Sequence, residues 1–232
     1  MATRLEAVDL HRRFKLLPKG GPVLSIFDGI SLTVEEGECV ALTGPSGCGK
    51  STLLQCLYGS YRVHGGRIRV RHFGRWFELQ DAPPRALVDV RRHTLGLVSP
   101  MRRVPPRTAT LDVVAEPLSF SGAWPEEGRR RAAALLARLR LPEHLWSAPP
   151  ATLSSGEQQR VSLARGLIAD HPVMLFDDPT ASLDAANRAT VIEMILEAKA
   201  RGASIVLASH DDDARDRLAD RLFRFPAPAL TA

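Results

Sequence analysis

Positions 44 to 51, which read GPSGCGKS, have the residue types and spacing of a loop that holds the phosphates of a nucleotide. In such a loop, glycines let backbone N–H groups converge on a triphosphate, the lysine meets its outer phosphates, and the serine hydroxyl holds Mg²⁺. We therefore predict that a nucleoside triphosphate and Mg²⁺ bind here. The residues predicted to contact them are Gly44, Pro45, Ser46, Gly47, Cys48, Gly49, Lys50, Ser51 and Thr52.

A second acidic position is needed to complete this kind of metal site, and the sequence supplies it after an apolar run at 173–176. Four apolar residues predict a buried strand, and Asp177 at its carboxyl end would join Ser51 in holding Mg²⁺, directly or through water. Asp178 comes next and is the candidate for orienting or deprotonating the attacking water. The alternative for Asp178 is a capping or turn role before Pro179.

Two predicted elements must position the loop: a strand over 39–43 that leads into it and a helix over 51–58 that leads out. A Gly-rich loop between a strand and a helix N-terminus makes an anion site. Further strands are predicted over 5–10, 30–34, 67–71, 76–79, 95–98, 173–176 and 204–208, and further helices over 126–139, 156–169, 185–200 and from 211. Alternating strands and helices predict a parallel sheet with helices on both faces.

These elements predict an α/β fold of the P-loop NTPase kind, with a parallel-sheet core, an antiparallel β part and a small helical subdomain. We expect one domain over residues 1–232. Its core would comprise about 1–99 and 157–225, and the helical subdomain about 100–156, where prolines and a helix rich in Arg, Ala and Leu occur. The tail, 226–232, is expected to fray.

Composition narrows the class of protein. The chain has 232 residues, 44% of them hydrophobic, and a net charge of +5, but its arginines are scattered and only 6% of residues are aromatic. We therefore expect no nucleic-acid partner. No apolar run approaches the roughly 20 residues of a membrane span, and no signal-peptide core is visible. The expectation is a cytoplasmic protein without direct membrane insertion, whose three cysteines are free thiols.

Three further motifs carry a family resemblance. Residues 153–160 read LSSGEQQR, which resembles the Leu-Ser-Gly-Gly-Gln signature of the ATP-binding cassette (ABC) family, at the family's usual interval before Asp177. Residues 178–184, DPTASLD, resemble its acid-proline segment and D-loop, and residues 209–211, SHD, resemble its H-loop. Phe14 lies where the family places an aromatic ring against adenine. The resemblance covers nearly all of the chain, with the motifs in the family's order.

The resemblance implies an ATPase that uses ATP and Mg²⁺. The signature residues Ser154, Ser155, Gly156 and Glu157 would form a second anion site at a helix N-terminus, facing the γ-phosphate held by another protomer. His210 would contact the γ-phosphate and, with Asp178, is predicted to be catalytic. Two nucleotides would then be sandwiched between two cassettes paired head to tail, either two copies of this chain or one copy and a related ABC subunit.

Stretches outside these motifs carry a closer resemblance. Residues 82–92, 98–99, 103–107 and 141–146, together with 156–161 and 164–166, resemble ABC subunits of the PhnL type, from the bacterial carbon–phosphorus lyase (phosphonate) system. This resemblance predicts a soluble accessory of phosphonate breakdown, with carbon–phosphorus lyase subunits as partners. The alternatives are the ATPase motor of a membrane transporter of the lipoprotein-releasing or macrolide-export type, and a weakly hydrolysing scaffold.

Three positions depart from the family pattern. The Q-loop glutamine is replaced by Pro100, which has no side-chain ligand for Mg²⁺. The catalytic glutamate is replaced by Asp178, which is one methylene shorter, and the first signature glycine by Ser155, whose Cβ would crowd a γ-phosphate. Our hypothesis is that ATP binding and dimerisation are retained while turnover is slow. The alternative is that small backbone shifts restore ordinary hydrolysis.

Overall fold

The computed structural model describes residues 2–15, 23–99, 107–120 and 125–225. The strands are β1 Thr3–Lys15, β2 Val23–Glu35, β3 Cys39–Thr43, β4 Gly65–His72, β5 Arg75–Glu78, β6 Leu95–Val98, β7 Val173–Asp177, β8 Ser204–Ala208 and β9 Arg221–Arg224. The helices are α1 Lys50–Leu57, α2 Pro84–His93, α3 Thr110–Ser119, α4 Pro125–Arg138, α5 Ser155–Leu167, α6 Ala185–Ala200 and α7 Asp212–Leu218.

The strands form two sheets. The four-stranded sheet is antiparallel, in the order β2-β1-β4-β5, and the five-stranded sheet is parallel, in the order β6-β7-β8-β3-β9. Every residue of β6, β7 and β8 is buried, as expected for short apolar strands covered on both faces. The predicted α/β fold, with its parallel-sheet core and antiparallel part, is confirmed.

The parallel sheet brings the chemistry to one edge. β3 pairs with β8, and β8 pairs with β7, with all three strands running in the same direction. The carboxyl ends of these strands therefore lie side by side, and each is followed by one of the predicted motifs: the phosphate loop after β3, the two aspartates at the end of β7, and the Ser-His-Asp segment after β8. This is the edge at which open α/β sheets bind ligands.

The helical part between β6 and β7 shares its core with this sheet. Val114 of α3 and Leu136 of α4 are fully buried in the same apolar cluster as Phe176 of β7 and Leu207 of β8. Two short 3₁₀ turns, Glu143–Leu145 and Pro150–Thr152, lead from α4 to α5. The predicted division into core and helical subdomain stays a prediction, and the predicted tail lies outside the described residues.

Three elements were not predicted from the sequence. α2 is polar overall, with Arg91, Arg92 and His93 in its last turn, and Val90 is its one fully buried side chain. α3 contains Pro117 inside the helix, in a region whose prolines argue against regular structure. β9 is an edge strand with Leu222 half exposed.

Among the helices of the described residues, none has the length and apolar character of a membrane span.

Candidate nucleotide site

The phosphate loop joins the end of β3 to the start of α1, and glycine is required at both of its ends. Gly44 and Gly49 have backbone φ angles of 149° and 108°, which residues other than glycine rarely adopt. A Cβ at Gly49 would lie 2.7 Å from the Cγ2 atom of Ile26, and one at Gly44 would lie 2.9 Å from the Cys48 sulfur. Residues 44–47 are exposed, so the loop can be approached from solvent.

The side chain of Lys50 is already held in place by this loop. Its Nζ atom donates hydrogen bonds to the carbonyl oxygens of Gly44 (2.8 Å) and Pro45 (3.0 Å), and the residue is buried. Nζ also lies 4.0 Å from the Cys48 sulfur, a weak acceptor. The third N–H donor of the ammonium group can therefore turn to a phosphate oxygen at little cost. Gly49 gives α1 no side-chain cap, and the first turn contains no acid. The N–H groups that begin α1 therefore remain available to an anion.

The two residues predicted to hold Mg²⁺ lie together. The Ser51 hydroxyl donates to Oδ1 of Asp177 at 2.8 Å, across 126 positions of sequence. Burial raises the pKa of Asp177, and the hydrogen bond from Ser51 opposes that rise. A hydroxyl and a carboxylate are hard oxygen donors of the kind that Mg²⁺ prefers, so the residues present fit the ion. A cavity of about 340 Å³ that Thr52 helps to line opens beside them.

The predicted catalytic pair is also brought together. Oδ1 of Asp178 accepts a hydrogen bond from the backbone N–H of His210 (2.9 Å), and its Oδ2 lies 3.9 Å from Nε2 of the same histidine. Both side chains are partly exposed, so water can reach them. The φ of Asp178 is +46°, a left-handed conformation that Asp adopts more readily than most residues. Its backbone N–H donates to the carbonyl of Ala208 at 2.8 Å.

The signature segment forms the N-terminus of α5, where Ser154 is the cap. The backbone N–H of Glu157 donates to the Ser154 hydroxyl oxygen (3.4 Å), and Glu157 Oε2 accepts from both the Ser154 N–H and its hydroxyl (2.8 Å each). These hydrogen bonds lower the pKa of Glu157. In the single chain, Glu157 therefore caps the helix, and its predicted contact with nucleotide stays a prediction. The predicted anion site of Ser154, Ser155 and Gly156 is exposed or half-buried, but its hydroxyl already has a partner.

Two contacts tie this helix to the acidic segment, and the sequence analysis did not assign them. Gln159 is buried, and its side-chain amide donates to the carbonyls of Asp178 (3.2 Å) and Pro179 (3.3 Å). A Cβ at Gly156 would lie 3.1 Å from the Ser182 carbonyl oxygen, so the two segments are in close contact. The spacing of Gln159 from the buried Leu163 follows the i, i+4 rule, which could have placed the glutamine on the buried face.

Phe14 lies near the end of β1 with one side of its ring covered. The guanidinium carbon of Arg12 lies 4.3 Å from the ring centroid, and the ring of Tyr61 meets it edge-on at 6.0 Å. Adenine stacking on Phe14 stays a prediction; the base would use the other face of the ring or displace Arg12. Tyr61 is 41% exposed and was not predicted as part of the site.

The site combines a glycine loop open to solvent, a serine–aspartate pair suited to Mg²⁺ and an adjoining acid–histidine pair, which are the features expected of a P-loop ATPase. The family model described as ABC transporter matches residues 27–181, two thirds of the chain. The chain therefore belongs to the ABC transporter family, as an ATP-binding cassette. The predicted fold and the predicted class of ATPase are confirmed at this level.

Curated relatives agree with this assignment. The chain is 37% identical over 192 residues to the uncharacterized ABC transporter ATP-binding protein Rv0073 of Mycobacterium tuberculosis, covering 83% of this chain and 57% of the relative. It is 35% identical over 215 residues to the macrolide export ATP-binding/permease protein MacB of Burkholderia pseudomallei, covering 90% of this chain and 31% of the relative. The chain thus spans less than two thirds of the length of both. These names favour the transporter alternative over the carbon–phosphorus lyase hypothesis.

Solved structures show the same fold. One is the dimeric, post-hydrolysis state of the ATP-binding cassette MJ0796 bound to ADP and Pi, with a TM-score of 0.85, 28% identity, and coverage of 95% of this chain and 94% of that one. Another is an ATP-binding subunit of an ABC transporter, with a TM-score of 0.78, 26% identity, and coverage of 96% and 85%. The likeness thus extends over nearly the whole of this chain.

Proposed function

We propose that this chain is the ATPase motor of an export-type membrane transporter, and that it works as a head-to-tail pair of cassettes that closes on ATP. The observation that carries the pairing is the exposure, in one chain, of two helix N-termini that are predicted to bind phosphate. The transporter role is supported by the similarity to MacB. The phosphate loop at 44–47 is exposed before α1, and Ser154 and Ser155 are exposed at the start of α5. Two chains related by a twofold axis would each supply one end to a shared nucleotide.

Residues of this chain divide the work of hydrolysis between them. Lys50 and the N–H groups of α1 bind and orient the outer phosphates, and Ser51 with Asp177 would hold Mg²⁺. Mg²⁺ held there would neutralise charge on the phosphates. The backbone N–H of His210 holds one carboxylate oxygen of Asp178, which leaves the other free to accept a proton from the attacking water.

Dimerisation is tested with a variant that binds ATP without hydrolysing it. Asp178→Asn keeps the hydrogen bond from His210 at the remaining side-chain oxygen and removes the base, so ATP and Mg²⁺ should drive it into a dimer in analytical ultracentrifugation. The matched control combines this change with Lys50→Ala and should stay monomeric. A monomer at saturating ATP, with no dimer in the presence of a second host cassette, would overturn the proposed pairing.

A groove between α2, α3 and α5 has the character of a docking site for a partner protein. It encloses about 240 Å³, and two of its apolar side chains, Phe120 and Val88, are 44% and 41% exposed. The guanidinium of Arg92 lies 4.1 Å above the Phe120 ring, and Arg91 also lines the groove. Exposed apolar side chains beside guanidinium groups fit a partner segment that presents an apolar residue next to an acidic one.

A second candidate function is an ATP-dependent accessory of the carbon–phosphorus lyase system. It is favoured by the resemblance described above, in which residues 82–92 and 141–146 lie outside the motifs shared by all ABC cassettes. Residues 84–93 form α2, one wall of the groove, so this resemblance concerns a surface that would contact a partner. On this hypothesis the partners are subunits of that system in place of a permease.

Purification from the native host decides between the two functions. The chain is captured with ATP and Mg²⁺ from detergent-solubilised membranes and from the soluble fraction, and the co-eluting proteins are identified. A polytopic membrane protein supports the transporter motor, whereas carbon–phosphorus lyase subunits support the accessory. Phe120→Asp is the matched control, because it should release a partner bound in the groove and leave nucleotide binding unchanged.

Slow turnover is the remaining hypothesis from the sequence, and Asp178→Glu tests it. A displacement of about 1 Å can cost on the order of 100-fold in rate, so a longer acid should raise steady-state hydrolysis if reach is limiting. The left-handed backbone of Asp178 suits Asp better than Glu and works against a full gain. If Asp178→Glu gives no increase, the hypothesis that the short acid slows hydrolysis is contradicted, and ordinary hydrolysis with Asp is favoured. If the native chain hydrolyses no ATP with its partners present, the hypothesis of a weakly hydrolysing scaffold is favoured.

A further inference from the structure

Ser99 occupies a buried polar position that neither the motifs nor the family pattern assigns. It directly follows β6 and is 1% exposed, after four apolar strand residues. Its hydroxyl oxygen lies 3.5 Å from Oδ2 of Asp177, and its backbone carbonyl accepts a hydrogen bond from the Ser162 hydroxyl at 3.3 Å. A buried hydroxyl group directed at a buried carboxylate calls for a physical explanation.

We propose that Ser99 is a positioning residue for the Mg²⁺-holding carboxylate of Asp177, and that Ser162 holds Ser99 in place from α5. The inference rests on the proposed function, because it requires a magnesium–nucleotide complex at Ser51 and Asp177. It concerns a position beside the one at which the family carries a glutamine. Since Pro100 has no side-chain ligand, this chain needs another group to fix the site from the side of β6.

The geometry assigns the two oxygens of Asp177 to two different elements. Ser51, on α1, donates to Oδ1 at 2.8 Å, and Ser99, after β6, faces Oδ2 at 3.5 Å. Asp177 is 7% exposed, so these two contacts account for much of the surroundings of its carboxylate. The 3.5 Å distance exceeds that of an ordinary O–H···O hydrogen bond, so Ser99 limits the rotation of the carboxylate but leaves Oδ2 able to face the neighbouring cavity.

Helix α5 contacts both sides of this arrangement. Ser162 lies two turns after the signature residues and holds the carbonyl of Ser99. On the same helix, Gln159 holds the carbonyls of Asp178 and Pro179, directly after the metal-site acid. If α5 moves, Ser99 at the end of β6 and Asp178 after β7 should therefore move with it, and both flank Asp177.

The test measures how binding of a non-hydrolysable ATP analogue depends on Mg²⁺ concentration, and it needs no turnover. Loss of a group that supports a metal ligand typically costs 10-fold to 100-fold in metal affinity. Because the Ser99 contact is long, we expect Ser99→Ala to raise the Mg²⁺ concentration at half-saturation by about 10-fold. Affinity for the analogue in EDTA should be unchanged, and Ser99→Thr, which keeps the hydroxyl, should restore the native Mg²⁺ dependence.

Ser204→Ala is the matched control. Ser204 is also fully buried, and its hydroxyl donates to the backbone carbonyl of Glu35 at 2.7 Å, away from the metal site. This variant should lower the melting temperature and leave the Mg²⁺ dependence as it is in the native chain. If Ser99→Ala and Ser204→Ala behave alike, Ser99 has only a structural role and the proposal is overturned.

A double-mutant cycle tests the part played by Ser162. Ser162→Ala should raise the required Mg²⁺ about twofold in the native background and have no further effect in the Ser99→Ala background. Equal effects in both backgrounds would overturn the link to α5. If the native chain binds the analogue with no dependence on Mg²⁺, the proposed magnesium site at Ser51 and Asp177 fails, and that outcome is distinct from failure of the role of Ser99 alone.

Discussion

The N-termini of α1 and α5 are both predicted to bind phosphate, but their local structures are opposite. The α1 end has Gly49 as a cap without a side chain, no acid in its first turn, and Lys50 as its first residue. The α5 end has a complete capping box, in which Ser154 and Glu157 satisfy each other's hydrogen bonds. One end is open and positively charged, and the other is occupied by its own carboxylate.

This difference indicates how the two ends take part in binding. An open helix end with a lysine can bind phosphate in the single chain with little rearrangement. At the α5 end, a phosphate must share or replace the bonds that Ser154 makes with Glu157, so binding there gains less free energy. We infer that the nucleotide binds first to its own loop and recruits the partner's α5 second.

The largest effect is expected at the open end. Lys50→Ala removes a charged donor, worth about 1.5–3 kcal/mol, so ATP affinity of the single chain should fall about 100-fold. Isothermal titration calorimetry measures this directly. Lys199→Ala is the matched control, because that lysine binds Asp220 and the Leu218 carbonyl on another part of the molecule. If Lys50→Ala binds ATP as tightly as the native chain, the N-terminus of α1 does not differ from that of α5 in the way inferred above.

A smaller effect is expected at the capped end, and on a different step. Ser154→Ala loses the helix cap, which should cost about 1 kcal/mol of folding free energy, measured by urea denaturation. ATP affinity of the single chain should stay unchanged, while ATP-driven dimerisation should weaken about 10-fold in analytical ultracentrifugation. Ser154→Thr keeps the hydroxyl and should dimerise normally. Weaker ATP binding by the single Ser154→Ala chain would contradict the separation of the two ends.

Much of this contrast follows from the sequence, because each end is a short local motif. GPSGCGKS places glycines where the loop needs positive φ, and an apolar strand before Asp177 is enough to bring that acid to Ser51 through the parallel sheet. The capping box is also local, since Ser154 and Glu157 have the three-residue spacing of such boxes. Both residues were predicted to contact nucleotide, and their hydrogen bonds to each other were not predicted.

Other parts of the site depend on contacts that no local pattern specifies. Ser99 and Asp177 are 78 positions apart, and Ser99 gains its significance only from the register of β6 beside β7. Tyr61 meets the ring of Phe14 from a distant part of the chain, which the pattern of one strand does not encode. α2 was not predicted from the sequence, and the groove that it lines together with α3 and α5 depends on tertiary packing.

Glu157→Gln separates the charge of the α5 end from its helix cap. It removes the negative charge and keeps the capping box, since glutamine also serves at this position. Without the carboxylate, the partner's phosphate meets less repulsion, so ATP-driven dimerisation should tighten about threefold. The hydrogen bonds that lower the pKa of Glu157 stabilise the native fold at pH values above the ordinary carboxyl pKa. This stabilisation is lost as the pH falls through the lowered pKa of Glu157. The Glu157→Gln variant should therefore be less stable than the native chain at pH 7, and the difference should vanish in acid. Equal dimerisation at pH 7 would show that Glu157 does not oppose the phosphate.

The smallest effect concerns Ser155, the first residue of α5, which stands where the family has glycine. Its side chain is exposed at the capped end, so it does not contribute to the core. If its Cβ crowds the partner's γ-phosphate, Ser155→Gly should tighten ATP-driven dimerisation about twofold, offset by the poorer helix propensity of glycine. Sedimentation at several ATP concentrations resolves such a change, with ATP affinity of the single chain as the internal control. A weaker dimer would mean that the serine contributes a contact to the phosphate, and the α5 end would then resemble the α1 end more closely than its capping box indicates.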